Sequence, residues 1–229
     1  MAPLHIVIAL YPEVTHLDFT GPHQVFARLP DTIVTVASKG GQDIVGDGLT
    51  FAKLADLSQV EACDVLCIPG GFGTTAAMLD EDFMRDIRRL ASGAKYLTSV
   101  CTGSLILAAT GLIRGKRAGC HWAWRDQLKP FGVIVDEARV VRDGNVITGG
   151  GVTAGLDFAF TMAAELRGDA VAQQIQLGLE YSPAPPFDAG RPETAPPEIL
   201  AAVKARMAVG MAARQAGAEE AARRLQAAG

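Results

Sequence analysis

The sequence has no excess of positive charge and no long apolar run. Of the 229 residues, 21 are Lys or Arg and 25 are Asp or Glu, which gives a formal net charge of −4. Proteins that bind nucleic acid usually present a basic face, so we expect no nucleic-acid partner. The apolar segment 4–10 is far shorter than the roughly 20 residues of a membrane-spanning helix. It follows no basic region and is interrupted by Pro12, so we expect neither a membrane partner nor a signal peptide.

Cysteine is also scarce. The four cysteines are Cys63, Cys67, Cys101 and Cys120, and none is paired by the short spacers that are typical of metal sites. We therefore expect no metal, free thiols and a cytoplasmic location, where the reducing environment disfavours disulfides. The spaced glycines of a GxGxxG motif and a Walker pattern are both absent, so the sequence does not indicate a bound nucleotide.

The apolar residues, at 49% of the chain, are sufficient for the core of one α/β domain. Short β-branched segments alternate with helical segments along the sequence. This order predicts a doubly wound, mostly parallel sheet with helices on both faces. We predict strands at 4–10, 33–38, 64–69 and 95–100, hairpins at 40–51 and 140–147, and helices that begin at 20–22 or span 78–92, 103–109, 152–166 and 170–179.

The end of the chain has a different composition. Residues 183–197 contain six prolines and predict an extended surface arm, and the Ala-rich residues 198–229 predict one long helix. We therefore divide the chain into an α/β domain at 1–182 and an arm with a C-terminal helix at 183–229. The apolar side of that helix needs a surface to cover. It can pack on its own domain or, as we favour, contribute to a contact between two copies of the chain.

Cys101 has the sequence context of a nucleophile. It follows the predicted strand 95–100 and precedes a helix that begins with Gly103 and Ser104. This order is that of a nucleophile elbow, in which a tight turn exposes the side chain and small neighbours let the backbone approach. The helix N-terminus and nearby backbone N–H groups predict a lowered thiol pKa. For the other three cysteines, a buried structural role is the more common case.

Two further groups are predicted at the same edge of the sheet. The turn Gly70-Gly71-Phe72-Gly73 follows the strand at 64–69, and its backbone N–H groups can stabilise a developing negative charge. Asp18 follows the first strand, where a carboxyl group can move protons to and from a thiolate. A helix-capping role is an equally good reading of Asp18 from spacing alone.

These segments together resemble the ThiJ/PfpI superfamily and, within it, the isocyanide hydratases. The resemblance extends from about residue 4 to about residue 197. It is carried by six main segments and a near-terminal one, which are 17–22 (LDFTGP), 68–71 (IPGG), 100–104 (VCTGS), 111–112 (GL), 121–122 (HW), 148–155 (TGGGVTAG) and 179–187 (LEYSPAPPF).

The resemblance implies a flavodoxin-like fold, a homodimer, no cofactor, and the hydration of an isocyanide to an N-substituted formamide. It implies Cys101 as the nucleophile, Asp18 as its acidic partner and Thr102 as a further catalytic residue. Attack by Cys101 would give a thioimidate, and the N–H groups of Gly71 and Thr102 are the expected oxyanion donors. The expected pocket residues are Gly70, Phe72, His121, Trp122, Gly150 and Val152.

Two differences from related families argue against other activities. A PfpI-type protease carries histidine directly after the cysteine, where this chain has Thr102, so a peptidase is not expected. The deglycase branch has glutamate in place of Asp18, so deglycase chemistry is less favoured. Glyoxalase-like or deglycase-like chemistry, a redox sensor and a ligand-binding protein stay open as alternatives. Cys120 stands where threonine is expected, before His121. For His121 itself, a hydrogen-bonded position in the core is favoured over a pocket position.

Overall fold

The secondary structure alternates between strands and helices along most of the chain. A computed structural model describes residues 2–227. The strands are β1 (Leu4–Leu10), β2 (Thr32–Ser38), β3 (Ile44–Gly46), β4 (Leu49–Phe51), β5 (Ala55–Asp56), β6 (Val65–Ile68), β7 (Tyr96–Val100), β8 (Arg117–Ala118), β9 (Ile134–Val135), β10 (Val140–Asp143) and β11 (Val146–Gly149). The helices are α1 (Leu17–Phe26), α2 (Thr74–Leu79), α3 (Glu81–Gly93), α4 (Gly103–Ala109), α5 (Ala154–Arg167), α6 (Asp169–Gly178), α7 (Pro197–Ala208) and α8 (Met211–Ala227).

Seven strands form the central sheet in the order β10-β11-β7-β6-β1-β2-β5. All neighbouring strands are parallel except β10 and β11, which form an antiparallel hairpin at one edge. Strands β3 and β4 form the separate hairpin that was expected near residues 40–51. The doubly wound, flavodoxin-like architecture is thus confirmed.

The alternation of side chains along β1 places the sheet between two apolar layers. Val7 and Ala9 belong to the core beneath α2, α3, α4 and α8. Ile6, Ile8 and Leu10 belong to the core beneath α1, α5 and α6. Because successive side chains of a strand point to opposite faces, a strand buried on both faces is apolar throughout. This explains why the first strand is an unbroken apolar run.

Helix α1 begins three residues earlier than the Thr20-Gly21-Pro22 start that the sequence predicts. The carbonyl of His16 accepts hydrogen bonds from the N–H groups of Phe19 (3.1 Å) and Thr20 (2.8 Å), which closes the first turn before Pro22. Pro22 therefore lies inside the helix. The earlier start places Asp18 in the first turn of α1, which is the helix that follows β1.

Two helices that the sequence predicts as continuous are each divided. The predicted helix at 78–92 is α2 and α3, because the Asp80 side chain accepts hydrogen bonds from the N–H groups of Asp82 and Phe83 and starts a new helix. The predicted C-terminal helix is α7 and α8. They are separated at Val209 and Gly210, and Gly210 has a φ of +80°, which favours glycine.

Helix α8 packs on its own chain. Ala218, Ala221 and Ala222 are buried in the core that also contains α2 and α4, and a Cβ at Gly217 would collide with Thr75. In contrast, α7 contains no buried residue. The division of the chain at residue 182 stays a prediction, but α8 shares the core of the α/β domain. Within residues 2–227, no helix is long and apolar enough to cross a membrane.

Candidate active site

Cys101 lies in a strained turn between β7 and α4. Its φ is +58°, a left-handed value that is unusual for a residue with a side chain. Two hydrogen bonds hold the turn, because the N–H of Cys101 donates to the carbonyl oxygens of Gly149 (3.1 Å) and Gly150 (2.8 Å). Such strain persists only where surrounding contacts enforce it, and it is common at functional sites. The structure thus places the cysteine in the elbow geometry that the sequence predicts.

Two glycines allow neighbouring strands to approach the elbow. A Cβ added to Gly70 would lie 2.5 Å from the backbone nitrogen of Thr102 and 2.8 Å from Asp18 Oδ2. A Cβ on Gly103 would collide with the carbonyl oxygen of Ile68. Larger residues at either position would force the turn after β6 away from the turn after β7. Gly70 therefore permits the close approach of the two turns and donates its N–H to Asp18, but it does not line either cavity.

Asp18 is completely buried beside Cys101. Its Oδ2 accepts a hydrogen bond from the N–H of Gly70 at 2.9 Å, whereas Oδ1 has no hydrogen-bond partner among residues 2–227. Burial raises the pKa of this carboxyl from 3.8 to about 7, and the nearby charge of Asp47 adds to the effect. The hydrogen bond from the Gly70 N–H and the neighbouring Cys101 thiol act in the opposite direction. Asp18 therefore exchanges a proton near neutral pH and is not a helix cap.

The Cys101 thiol does not have the lowered pKa that we expected from its position before α4. Burial raises its pKa well above the ordinary value of 9.0, and the charges of Asp18 and Cys120 raise it further. The backbone N–H groups of Thr102 and Val152 act in the opposite direction. The prediction was wrong because it counted the helix N-terminus and omitted the burial of the sulfur and the neighbouring carboxyl.

The backbone donors at the sulfur also differ from the expected pair. The N–H of Gly71 donates to Thr102 Oγ1 at 3.0 Å, so it is not available for a developing charge. The N–H groups that stabilise negative charge on Cys101 are those of Thr102 and Val152. The assignment of the Gly71 N–H as an oxyanion donor is therefore corrected, because this group is engaged by Thr102, whereas the N–H of Val152 acts on the Cys101 sulfur.

The side chain of Thr102 is held by a chain of buried hydroxyl groups. Its Oγ1 lies 2.7 Å from Thr74 Oγ1, which lies 3.0 Å from the hydroxyl of Tyr11. Tyr11 in turn donates to the carbonyl of Pro69 at 2.8 Å. This network fixes the rotamer of Thr102 and joins the turn after β6 to the turn after β7.

A cavity of ≈480 Å³ opens above Cys101 and Thr102. A second cavity of ≈260 Å³ lies beside it and contains Trp122 and Gly150. Two of the predicted pocket residues, His121 and Val152, line both cavities. The first cavity is lined by Thr15, Asp47, Gly71, Phe72, Cys101, Thr102, His121, Trp124, Val152, Arg206, Met207, Val209 and Arg214.

Comparison with known proteins identifies the family of this chain. The model of the DJ-1/PfpI family matches residues 4–165, which is most of the chain. The chain belongs to the DJ-1/PfpI family. It is 47% identical over 223 residues to the isonitrile hydratase of Pseudomonas putida, and the alignment covers 97% of this chain and 98% of that protein.

Two solved structures of DJ-1/PfpI proteins differ in how much of this chain they cover. A ThiJ/PfpI family protein from Pseudomonas syringae has a TM-score of 0.90 and 41% identity, covering 97% of this chain and 91% of its own. DJ-1beta of Drosophila melanogaster has a TM-score of 0.70 and 26% identity, covering 79% of this chain and 100% of its own. Helices α7 and α8 lie outside the region that the DJ-1/PfpI model matches.

His121 is a pocket residue in this DJ-1/PfpI chain, contrary to the core position that the sequence analysis favours. Its ring borders Gly151, and its Nδ1 accepts a hydrogen bond from the N–H of Ala123 at 3.2 Å. Burial lowers its pKa to about 4, so the ring is neutral at physiological pH. His121 therefore lines the cavity as an uncharged ring, and its Nε2 is left to donate a hydrogen bond.

Seven residues of the ≈480 Å³ cavity were missed by the sequence analysis, namely Thr15, Asp47, Trp124, Arg206, Met207, Val209 and Arg214. Trp124 had a signal, because it stands two positions after Trp122. No local pattern identifies the four residues of the C-terminal region, since their position depends on how α8 packs against α2 and α4. Within residues 2–227, no cluster of His, Cys, Asp or Glu has the geometry of a metal site.

We predict that Asp18→Asn stabilises the protein at alkaline pH. Between pH 3.8 and about 7, folded Asp18 keeps a proton that the unfolded chain has released, so stability falls as pH rises through this range. The asparagine amide carries no charge and removes this loss. At pH 8 the free energy of unfolding of the variant, measured by thermal unfolding, should exceed that of the wild type by up to about 4 kcal/mol. The difference should shrink toward pH 4. Asp188→Asn in the exposed arm serves as the control, and an equal effect of both changes at all pH values would contradict the burial of a charged carboxyl.

Proposed function

We propose that this chain is an isocyanide hydratase, which adds water to an isocyanide (isonitrile) to give an N-substituted formamide. The observation that carries the proposal is the buried Asp18 carboxyl beside Cys101, whose side chain lines the ≈480 Å³ cavity. The close similarity to a curated isonitrile hydratase over nearly the full length supports it.

The raised pKa values of the pair suit the first step. An isocyanide carbon must receive both a proton and a sulfur atom to become a thioimidate. The Cys101 thiol supplies both when Asp18 accepts its proton and delivers it to the carbon. The C–H and C–S bonds form on the same carbon, and Asp18 is again a carboxylate at the end. The N–H groups of Thr102 and Val152 stabilise the sulfur while it carries negative charge.

Water completes the reaction on the thioimidate. Asp18 accepts a proton from the attacking water, the oxygen bonds to the carbon, and the substrate nitrogen gains a proton. Cleavage of the C–S bond then releases the formamide, and the sulfur recovers a proton as a thiol. The formyl hydrogen comes from the thiol, while water supplies the oxygen, the proton on nitrogen (through Asp18) and the proton that restores the thiol, so the net reaction consumes one isocyanide and one water molecule. Thr102 faces the same cavity, where its hydroxyl can orient the substrate nitrogen or the water.

We predict that Cys101→Ser retains the fold but loses at least about 10³-fold in turnover of an aryl isocyanide, because a hydroxyl is a far weaker acid than a thiol. Asp18→Asn should show a similar loss, since an amide cannot exchange a proton near neutral pH. Chromatography of the formamide product measures the rate. Cys63→Ser changes a thiol away from the cavity and should alter the rate little. Full activity of Cys101→Ser would refute the covalent route.

The pH dependence of kcat/KM gives a second test of the pair. A protonated Asp18 cannot accept the thiol proton, and its pKa is raised to about 7. We therefore expect kcat/KM to fall about tenfold for each pH unit below approximately 7, far above the ordinary range of an aspartate. A flat profile between pH 5 and pH 8 would exclude Asp18 as the proton carrier.

We also propose a cytoplasmic homodimer. The four free cysteines suit a reducing compartment. Leu177 on α6 is 83% exposed and Phe187 in the proline-rich arm is 78% exposed, and a contact with a second copy would remove such apolar surface from water. Since α8 packs within the chain, the part after Pro183 that is left to contact a second copy is the arm with α7.

The mass in solution tests this assembly. Sedimentation equilibrium should give about twice 24.0 kDa for the wild-type chain. The double variant Leu177→Lys, Phe187→Lys should shift the mass toward that of one chain, because two charges cannot be buried in an apolar contact. Leu112→Lys, at an exposed apolar position in the turn after α4, is the matched control. A wild-type mass of 24.0 kDa would refute the dimer.

A further inference from the structure

The cavity above Cys101 has a wall that the matched family region does not supply. Helices α7 and α8 and the break between them follow residue 165, where the family match ends, yet they contribute Arg206, Met207, Val209 and Arg214 to the cavity. The docking of α8 through Gly217 and Ala218 fixes the position of the α8 part of this wall, which carries Arg214.

Arg214 is held at the cavity by two aromatic rings. Its guanidinium carbon lies 4.9 Å from the ring centroid of Phe72 and 4.4 Å from that of Trp124. Aromatic rings stabilise the cation but accept no conventional hydrogen bond. The side chain of Arg214 has no hydrogen-bond acceptor and no ion-pair partner in the part of the chain that the structure describes, although most other arginines there have one. Its planar set of N–H donors is therefore free.

The side chains that line the cavity carry more positive than negative charge. Arg206 also lines it and, within residues 2–227, forms no ion pair. The acidic residue of the lining is Asp47, which already accepts a hydrogen bond from the N–H of His16 at 3.1 Å. His121 is neutral, and Glu13 acts on Arg214 at longer range. Two guanidinium groups thus share one cavity with a single lining carboxylate.

We propose that Arg214, assisted by Arg206, makes this site select isocyanides that carry a carboxylate group. A guanidinium presents paired N–H donors that match the two oxygens of a carboxylate, and two aromatic contacts hold this one in place. The isocyanide carbon would lie at Cys101 and the carboxylate at Arg214, which border the same cavity. This inference rests on the proposed hydration of isocyanides.

A matched pair of substrates tests the selection. The two substrates are 4-isocyanobenzoate and 4-isocyanotoluene, which differ only in whether the 4-substituent is a charged carboxylate or a neutral methyl group. The measured quantity is kcat/KM for each. We expect the wild-type protein to favour the carboxylate by about tenfold or more, and Arg214→Met to remove most of that preference. Arg214→Lys, which keeps the charge and loses the planar donors, should keep part of it. Arg223→Met removes a charge from the outer side of α8 and should leave the ratio unchanged.

A structural role of Arg214 would give a different result. If the residue only holds α8 against Phe72 and Trp124, Arg214→Met changes kcat/KM for both substrates by the same factor. That outcome, or a wild-type protein with no preference for the carboxylate, overturns the proposal. Raised ionic strength should reduce a true charge preference and leave the rate with 4-isocyanotoluene little changed.

Binding of the products separates this proposal from the proposed activity. Titration calorimetry with 4-formamidobenzoate and 4-formamidotoluene requires no turnover. Tighter binding of the carboxylate, lost in Arg214→Met, supports anion selection even if neither isocyanide is hydrated, in which case the proposed activity alone fails. Equal binding of the two products, together with turnover of 4-isocyanotoluene, refutes the selection and leaves the activity intact.

Discussion

The site depends on the close approach of the backbone turns that follow β1, β6 and β7. Gly70 and Gly103 permit this approach, because the atoms around each position leave no room for a Cβ. The same approach brings the Gly70 N–H to Asp18 and the Gly71 N–H to Thr102. Removal of water from this junction then raises the pKa values of both Asp18 and Cys101. Packing of the backbone thus determines the acid–base chemistry.

The buried Asp18 carboxyl and the strained turn at Cys101 both lower the free energy of unfolding. A carboxyl pKa held at about 7 instead of 3.8 corresponds to roughly 4 kcal/mol in favour of the neutral form. The left-handed φ of Cys101 adds strain of about 1–3 kcal/mol. The apolar layers on both faces of the sheet must offset these terms. Such a conflict between stability and activity is expected where a site has to retain a proton in a buried position.

The sequence predicts the parts of the molecule that local patterns determine. The strand 4–10, the elbow at Cys101 and the alternation of strands and helices follow from residue periodicity and from the small residues after the cysteine. The pKa of Cys101 could not be predicted in this way, because it depends on the distance to Asp18 and on burial. The use of the Gly71 N–H by Thr102 and the break at Gly210 likewise depend on contacts between segments that are distant in the chain.

The C-terminal helices indicate how one fold can combine fixed chemistry with variable selection. Cys101 and Thr102 lie in the turn beyond β7 and Asp18 lies in the first turn of α1, where packing against the sheet holds them in place. The wall formed by α7 and α8 is attached from outside, and only α8 is anchored in the core. On the proposal that this wall selects the substrate, a change in it would alter which substituent fits without disturbing the packing around Gly70 and Gly103. Because Arg214 contacts Phe72 in the turn after β6, the wall formed by α7 and α8 still reaches the rigid part of the site. Selection of the substrate can therefore change through residues that the chemistry does not use.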